Sequence, residues 1–280
     1  MPELPEVQTV ANQLSGEIVG KNIVKIVNYR DNLRNNFDLN EIDNFSQAKI
    51  EKVERVAKYI LIYCSNGKVL LIHLGMTGRF VINKLQNLNF QQCDKHNHYD
   101  IILSDEFENF WQVSYIDSRR FGLFEIVNES DLKLRLGDVG IDPFDDFFTI
   151  ENFKKLVSKS NSKAKNFLMS QKYISGIGNI YACEILFKAK INPNFIIKKL
   201  NSDQIAMLYN AILNILNEAI SHGGSSISNY VDVHNISGKF QNQHMVYGRE
   251  GADCFVCGEK ISKQTDQSRS TFFCPNCQLI

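Results

Sequence analysis

The chain ends in two cysteine pairs, Cys254-x-x-Cys257 and Cys274-x-x-Cys277, with sixteen residues between them. Each Cys-x-x-Cys turn offers two thiolates to one tetrahedral ion, and two such turns at this spacing signal structural zinc. A structural zinc contributes on the order of 10–16 kcal/mol to folding, so a hairpin with almost no core of its own becomes rigid. The pattern therefore predicts a four-cysteine zinc-finger hairpin at the C-terminal end, with one ion bound. Two uses of that hairpin stay open: a folding staple alone, or a stiff arm that holds one side chain in place. In the second case Arg269 is the candidate, ahead of Lys260 and Lys263, because it lies on the returning arm near the second pair.

The 280 residues leave room for two further domains with sizeable cores. No apolar run approaches the ~20 residues that span a bilayer. The start, MPELPEV, carries acids in place of the basic flank and apolar stretch of a signal peptide, so the cytoplasm is the expected compartment. Cys64, Cys93 and Cys183 are far apart, which argues against a disulfide framework. Lysine and arginine balance aspartate and glutamate at 31 each, yet the charge is unevenly spread. Residues 151–200 hold ten lysines against Glu151 and Glu184, a local net of +8. That is either a phosphate-binding patch on a neutral protein or a solvated lysine-rich helix face.

Periodicity divides the rest. PEVQTVANQL reads as a helix opened by Pro5, with Val7, Val10, Ala11 and Leu14 on one face. A β-rich stretch follows. Its clearest part is YILIYCSNGKVLLIHLGM, a hairpin in which a two-residue Asn66-Gly67 turn pairs Ser65 with Lys68. That register sets Lys58 opposite Gly75, beside Met76. Further strands are expected at 98–104, 110–116 and 121–127, giving a β-sandwich or barrel. The acidic segment LGDVGIDPFDDFF reads as a linker, and helices are expected at 150–159, 163–172, 179–190 and 202–222. Ser202 is the expected N-cap of the last and Gly223-Gly224 its stop. Residues 223–243, rich in Gly, Ser, Asn and Gln, read as a mobile loop. The fold class is thus α+β and multidomain: residues 1–130 a helix plus β-sandwich, 131–149 a linker, 150–243 a helical domain with the loop, and 244–280 the finger.

MPELPEV, AKYILI, HLGMTG, DSRRFG, GIGNIYACE, VYGREG and the terminal finger with SRSTFFC, in this order, resemble the formamidopyrimidine-DNA glycosylases from end to end. These are bacterial base-excision enzymes that remove 8-oxoguanine and ring-opened purines and then cut the strand. The resemblance implies a monomer acting on duplex DNA with damaged bases or abasic sites, with no membrane role, and a helix–two-turn–helix motif in the helical domain. The related endonuclease VIII group, which prefers oxidised pyrimidines, usually has glycine where this chain has Leu4. Leu4, HLGMTG and DSRRFG therefore favour the purine branch. A non-catalytic zinc-ribbon protein that only binds damaged DNA is the alternative of a different class.

The same resemblance implies roles for single residues. Met1 is removed, and the secondary amine of Pro2 attacks the sugar; Glu3 beside it is the general acid or base. Lys58 grips phosphate and handles protons near the lesion, and Arg269 holds flanking phosphates with its planar fork. Met76, Arg119 and Phe121 fill the gap left by the extruded nucleotide, with Arg119 facing the opposite base. Asn179 and His96 contact phosphate, with Lys163 and Lys165 as neighbours and Asn161 at a position often basic in relatives. The 223–243 loop covers the flipped purine. Glu6 reads as structural. Ser118 and Gln8 depart from the usual proline and glutamate.

Overall fold

The computed structural model describes residues 1–30, 33, 45–227, 230–266 and 268–279. Ser228 and Asn229 of the expected purine-covering loop lie outside the described residues. Two compact units emerge, Met1–Gly137 with Gly223–Lys239, and Asp138–His222 with Phe240–Ile280.

In the first unit, α1 (Leu4–Ile18) begins where Pro5 sits in the opening turn, and its buried residues include Val7, Val10, Ala11 and Leu14 as the spacing predicts. Among the described residues eight strands follow: β1 (Asn22–Asn28), β2 (Ile50–Val56), β3 (Tyr59–Cys64), β4 (Lys68–His73), β5 (Arg79–Leu85), β6 (Asn97–Ser104), β7 (Phe110–Ile116) and β8 (Leu123–Asn128). They form two four-stranded antiparallel sheets, ordered β1-β6-β7-β5 and β2-β3-β4-β8. One core joins them to α1, with Leu14 from the helix, Ile26, Ile101 and Val113 from one sheet, and Ile60, Ile62, Leu70 and Ile72 from the other. This is the expected sandwich. The opposite face of β3 and β4 is covered in turn: Leu61, Tyr63, Val69 and Leu71 pack with Leu132 of the short α2 (Leu132–Arg135).

The β3–β4 hairpin forms one residue out of the expected register. Tyr59 pairs with His73 and Tyr63 with Val69, so the loop has three residues, Ser65 to Gly67. Gly67 donates to Cys64 O and takes φ +74, the left-handed position that ends a three-residue loop and that favours glycine. Continued past Tyr59, the pairing sets Lys58 across from Leu74 rather than Gly75.

The segment 223–239, grouped by its composition with the helical domain, clusters with the first unit. The cause is chemical. Ser225 N donates to Glu6 Oε1 at 2.7 Å, Gln13 Nε2 to Asp232 Oδ2 at 2.7 Å, and Val233 joins the sandwich core.

The second unit holds α3 (Ile150–Ser158), α4 (Ala164–Met169), α5 (Asn179–Lys188), α6 (Ser202–Ser221) and the hairpin β9 (Ser262–Asp266) with β10 (Arg269–Phe273). The N-cap of α6 is Asn201, one residue before the expected Ser202. Its side chain accepts from Gln204 N at 2.9 Å while Gln204 Oε1 accepts from Asn201 N at 2.8 Å, a reciprocal capping box. Among the described residues no helix is long and apolar enough to cross a membrane.

Candidate nucleic-acid interface and metal centre

The chain start is held tightly. Pro2 is buried, Glu3 is only 3 % exposed, and Glu3 N donates to Glu6 Oε2 at 2.7 Å. With Met1 attached, the Pro2 nitrogen is an amide and has no free electron pair for attack. Glu6, read from sequence as a simple helix-start acid, receives N–H groups from both ends of its unit's sequence through Glu3 and Ser225. The departure at Gln8 has a physical use. Its Oε1 accepts from Arg55 Nε at 2.7 Å, and Arg55 also donates to Ala57 O at 3.0 Å, so α1 is tied to the turn before Lys58. Ala57 there takes φ +55, and Lys58 is buried.

Met76 and Phe121 stand on two turns that meet backbone to backbone. A Cβ added to Gly75 would lie 2.5 Å from Gly122 N and 2.6 Å from Phe121 O, so only glycine permits the approach. Both side chains nonetheless point away from a core, Met76 being 39 % and Phe121 41 % exposed. The Arg119 guanidinium lies 5.0 Å from the Phe121 ring centre, a cation–π contact, and Arg120 between them takes φ +61. His96 is partly exposed, and its carbonyl accepts from Asp117 N at 3.0 Å.

In the second unit, Asn179 is the first residue of α5 behind Gly178. Its Nδ2 donates to Ser270 O at 2.9 Å, and the Lys165 ammonium donates to the same carbonyl at 3.0 Å and to Thr271 Oγ1 at 2.6 Å. Lys165 is thereby only 4 % exposed and braces β10 from beneath. Lys163 pairs with Asp266 at 2.9 Å, holding the Asp266 carboxyl below its usual range, while Asn161 is exposed. Arg269 sits at the start of β10 opposite Asp266, exposed beside a polar pocket lined by Lys165, Asn166, Met169, Ser170 and Asp266. Glu184, which sequence reasoning assigned only to a motif, is buried and accepts from Met245, Val246 and Tyr247 N at 2.8–3.1 Å. Burial nevertheless raises its pKa. Glu6, Glu184 and the buried Asp117 share one signature that sequence carries only weakly: an acid inside a motif whose partners include backbone N–H groups.

The thiols of Cys254, Cys257, Cys274 and Cys277 lie within 4.8 Å of one another. Two of the separations, 3.9 Å for Cys254–Cys277 and 3.5 Å for Cys257–Cys274, bracket the ~3.8 Å edge of a tetrahedron with 2.3 Å metal–sulfur bonds. The donor set fits a tetrahedral, thiolate-preferring ion. Cys257 is lowered to about 6 by hydrogen bonds from the Asn276 side chain and the Glu259 backbone, whereas burial pushes Cys274 and Cys277 up.

Comparison with known proteins adds three findings. Profiles of the formamidopyrimidine-DNA glycosylase N-terminal domain and H2TH domain match residues 1–124 and 139–231. A formamidopyrimidine-DNA glycosylase of Rickettsia bellii is 37 % identical over 279 residues, covering 99 % of both chains. Wild-type Lactococcus lactis Fpg (MutM) is 32 % identical over the whole of both chains. It superimposes with a TM-score of 0.88 in complex with N7-benzyl-Fapy-dG DNA and 0.87 in complex with oxidised-pyrimidine DNA.

Proposed function

The chain belongs to the formamidopyrimidine-DNA glycosylase family, and on that premise we propose that it excises oxidised purines from duplex DNA and cuts the strand at the resulting site. The observation that carries this reading is the pair of interlocked turns that leaves Met76, Arg119 and Phe121 exposed together. Apolar side chains of this kind enter a base stack and kink it, which offsets the few kcal/mol needed to extrude a nucleotide.

After removal of Met1, the Pro2 amine attacks C1′ of the extruded nucleotide. The N–C1′ bond forms as the bond to the base breaks, the amine proton passes to the departing base, and Glu3 protonates the ring oxygen as the C1′–oxygen bond opens. The product is an iminium. Having no N–H to lose, it persists as an electron sink, so loss of a C2′ proton expels the 3′ phosphate and a second elimination expels the 5′ phosphate. A terminal amine has a pKa near ~8 against ~10.4 for lysine, so more of it is free at neutral pH. Lys58 handles phosphate and protons in this scheme, Arg269 binds flanking phosphate with its fork, and His96, Asn161, Lys163 and Asn179 add backbone contacts. The hold on Ser270 by Lys165 and Asn179 supports a fixed Arg269. The four thiolates hold one zinc ion, which supplies rigidity and takes no part in bond breaking.

An endonuclease VIII type of specificity is the second reading. It is favoured by the likeness to a relative complexed with oxidised-pyrimidine DNA, and Leu4 speaks against it. Nicking of 8-oxoguanine:C, formamidopyrimidine:C and thymine-glycol:A duplexes separates the two. Faster single-turnover nicking of both purine lesions is expected; faster nicking of thymine glycol would overturn the purine assignment.

A further inference from the structure

Asp117, one residue beyond the end of β7, is fully buried, and its five polar contacts reach every segment that carries an exposed candidate DNA contact of the first unit. Oδ1 accepts from the Thr77 hydroxyl and from Arg119 N at 3.2 Å, and Thr77 Oγ1 takes the same Arg119 N at 3.1 Å. Oδ2 accepts from Gly122 N at 2.8 Å. The backbone N of Asp117 donates to His96 O at 3.0 Å, and its carbonyl accepts from His98 Nε2 at 2.9 Å. A lone aspartate turn would need only the N–H two residues on, that of Arg119. Here the carboxylate spans two separate turns.

We propose that Asp117 is a positioning residue that sets the geometry of the DNA wedge, an inference that rests on the glycosylase reading above. Thr77 adjoins Met76, and Gly122 adjoins Phe121. Met76 and Phe121 are both partly exposed, so the turns beneath them set where they stand, and one carboxylate joins those turns through the Thr77 hydroxyl and the Gly122 N–H. Space around it is closed. A Cβ on Gly122 would overlap the Tyr115 hydroxyl and stand 3.0 Å from Asp117 Oδ2, so only glycine fits between that hydroxyl and the carboxylate. Such charge-assisted bonds are about twice as strong as neutral ones. Asp117→Asn offers an amide N–H where one of these donors must be received, and Thr77→Val removes the hydroxyl that links the first turn.

The wedge acts in extruding the base and not in the covalent steps, so the two variants should separate those stages. The full-length zinc-loaded chain is tested on 8-oxoguanine:C duplex with 2-aminopurine beside the lesion, and on the same lesion inside a mismatched bubble that is already unstacked. In both variants extrusion and single-turnover excision on the duplex are expected to slow on the order of 10–100-fold, as displaced contact groups do. Excision from the bubble should stay at the wild-type rate. Equal losses on duplex and bubble, or no loss on either, would overturn the positioning role. Thr77→Val carries the test should Asp117→Asn fail to fold. A wild-type chain inactive on both substrates would instead overturn the glycosylase reading, and this inference with it.

Discussion

Asn179 occupies the first position of α5 and donates its side-chain amide to Ser270, so a single residue joins a helix start to the strand that carries Arg269. Replacing it should therefore act on the grip and not on lesion choice. Asn179→Ala is expected to weaken binding to undamaged, abasic and 8-oxoguanine duplexes alike, by roughly tenfold for the ~1–1.5 kcal/mol of one lost hydrogen bond. Asn179→Asp should be worse, because it sets a carboxylate against the Ser270 carbonyl. Fluorescence anisotropy at fixed salt reads both, and an effect confined to one lesion would contradict a backbone-contact role. At this scale the cysteine spacing marked a four-thiol cluster, and the motifs singled out Met76, Arg119 and Phe121, three exposed residues of the proposed wedge. The role of Glu6 was not legible, since its partner Ser225 is 219 positions away.

The elements marked by periodicity formed near their expected bounds, whereas β1, β2 and β5 carried no separate signal and α2 lies inside the segment expected as a linker. In the β3–β4 hairpin the Asn66-Gly67 pair did mark the turn, but left-handed Gly67 closes a three-residue loop and moves the partner of every β3 residue by one. Asn66 Oδ1 accepts from Lys68 N at 3.1 Å, a local bond that competes with the shorter turn and that spacing alone does not reveal. The start of α6 shows the same limit, because Asn201 and Ser202 are both good caps and only Asn201 finds Gln204 three places on. Asn201→Ala is expected to cost about 1 kcal/mol in urea unfolding, with Ser202→Ala close to neutral. The reverse order would contradict the capping assignment.

For the whole molecule, the sandwich and the helical unit followed from periodicity, while the membership of residues 223–239 did not, because it rests on distant partners at Glu6 and Gln13. Stability should also depend on pH through the second unit. Burial lowers His244 from 6.5 to about 4, so the unfolded chain takes up this proton first as pH falls. Its contribution is whole above about pH 6.5 and is lost toward about pH 4, by up to about 3 kcal/mol. Glu184, raised by burial, tilts the curve the other way, but equally in wild type and His244→Asn. The difference between their urea midpoints is expected to shift across that window, and a constant difference would contradict the burial argument. Chelation of the thiolate-bound ion should release the β9–β10 hairpin and abolish cleavage until zinc is restored, followed by amide exchange in residues 262–273. The core of the account is that the amine of Pro2, freed of Met1, bonds to a deoxyribose carbon. Borohydride trapping on 8-oxoguanine:C DNA tests this most directly, with the N-terminus of each preparation read by mass spectrometry. Protein beginning at Pro2 is expected to yield a covalent adduct mapped to that residue, while Met1-retaining protein and Pro2→Gly yield none. An adduct formed with Met1 in place, or none formed by protein with a free Pro2, would contradict it.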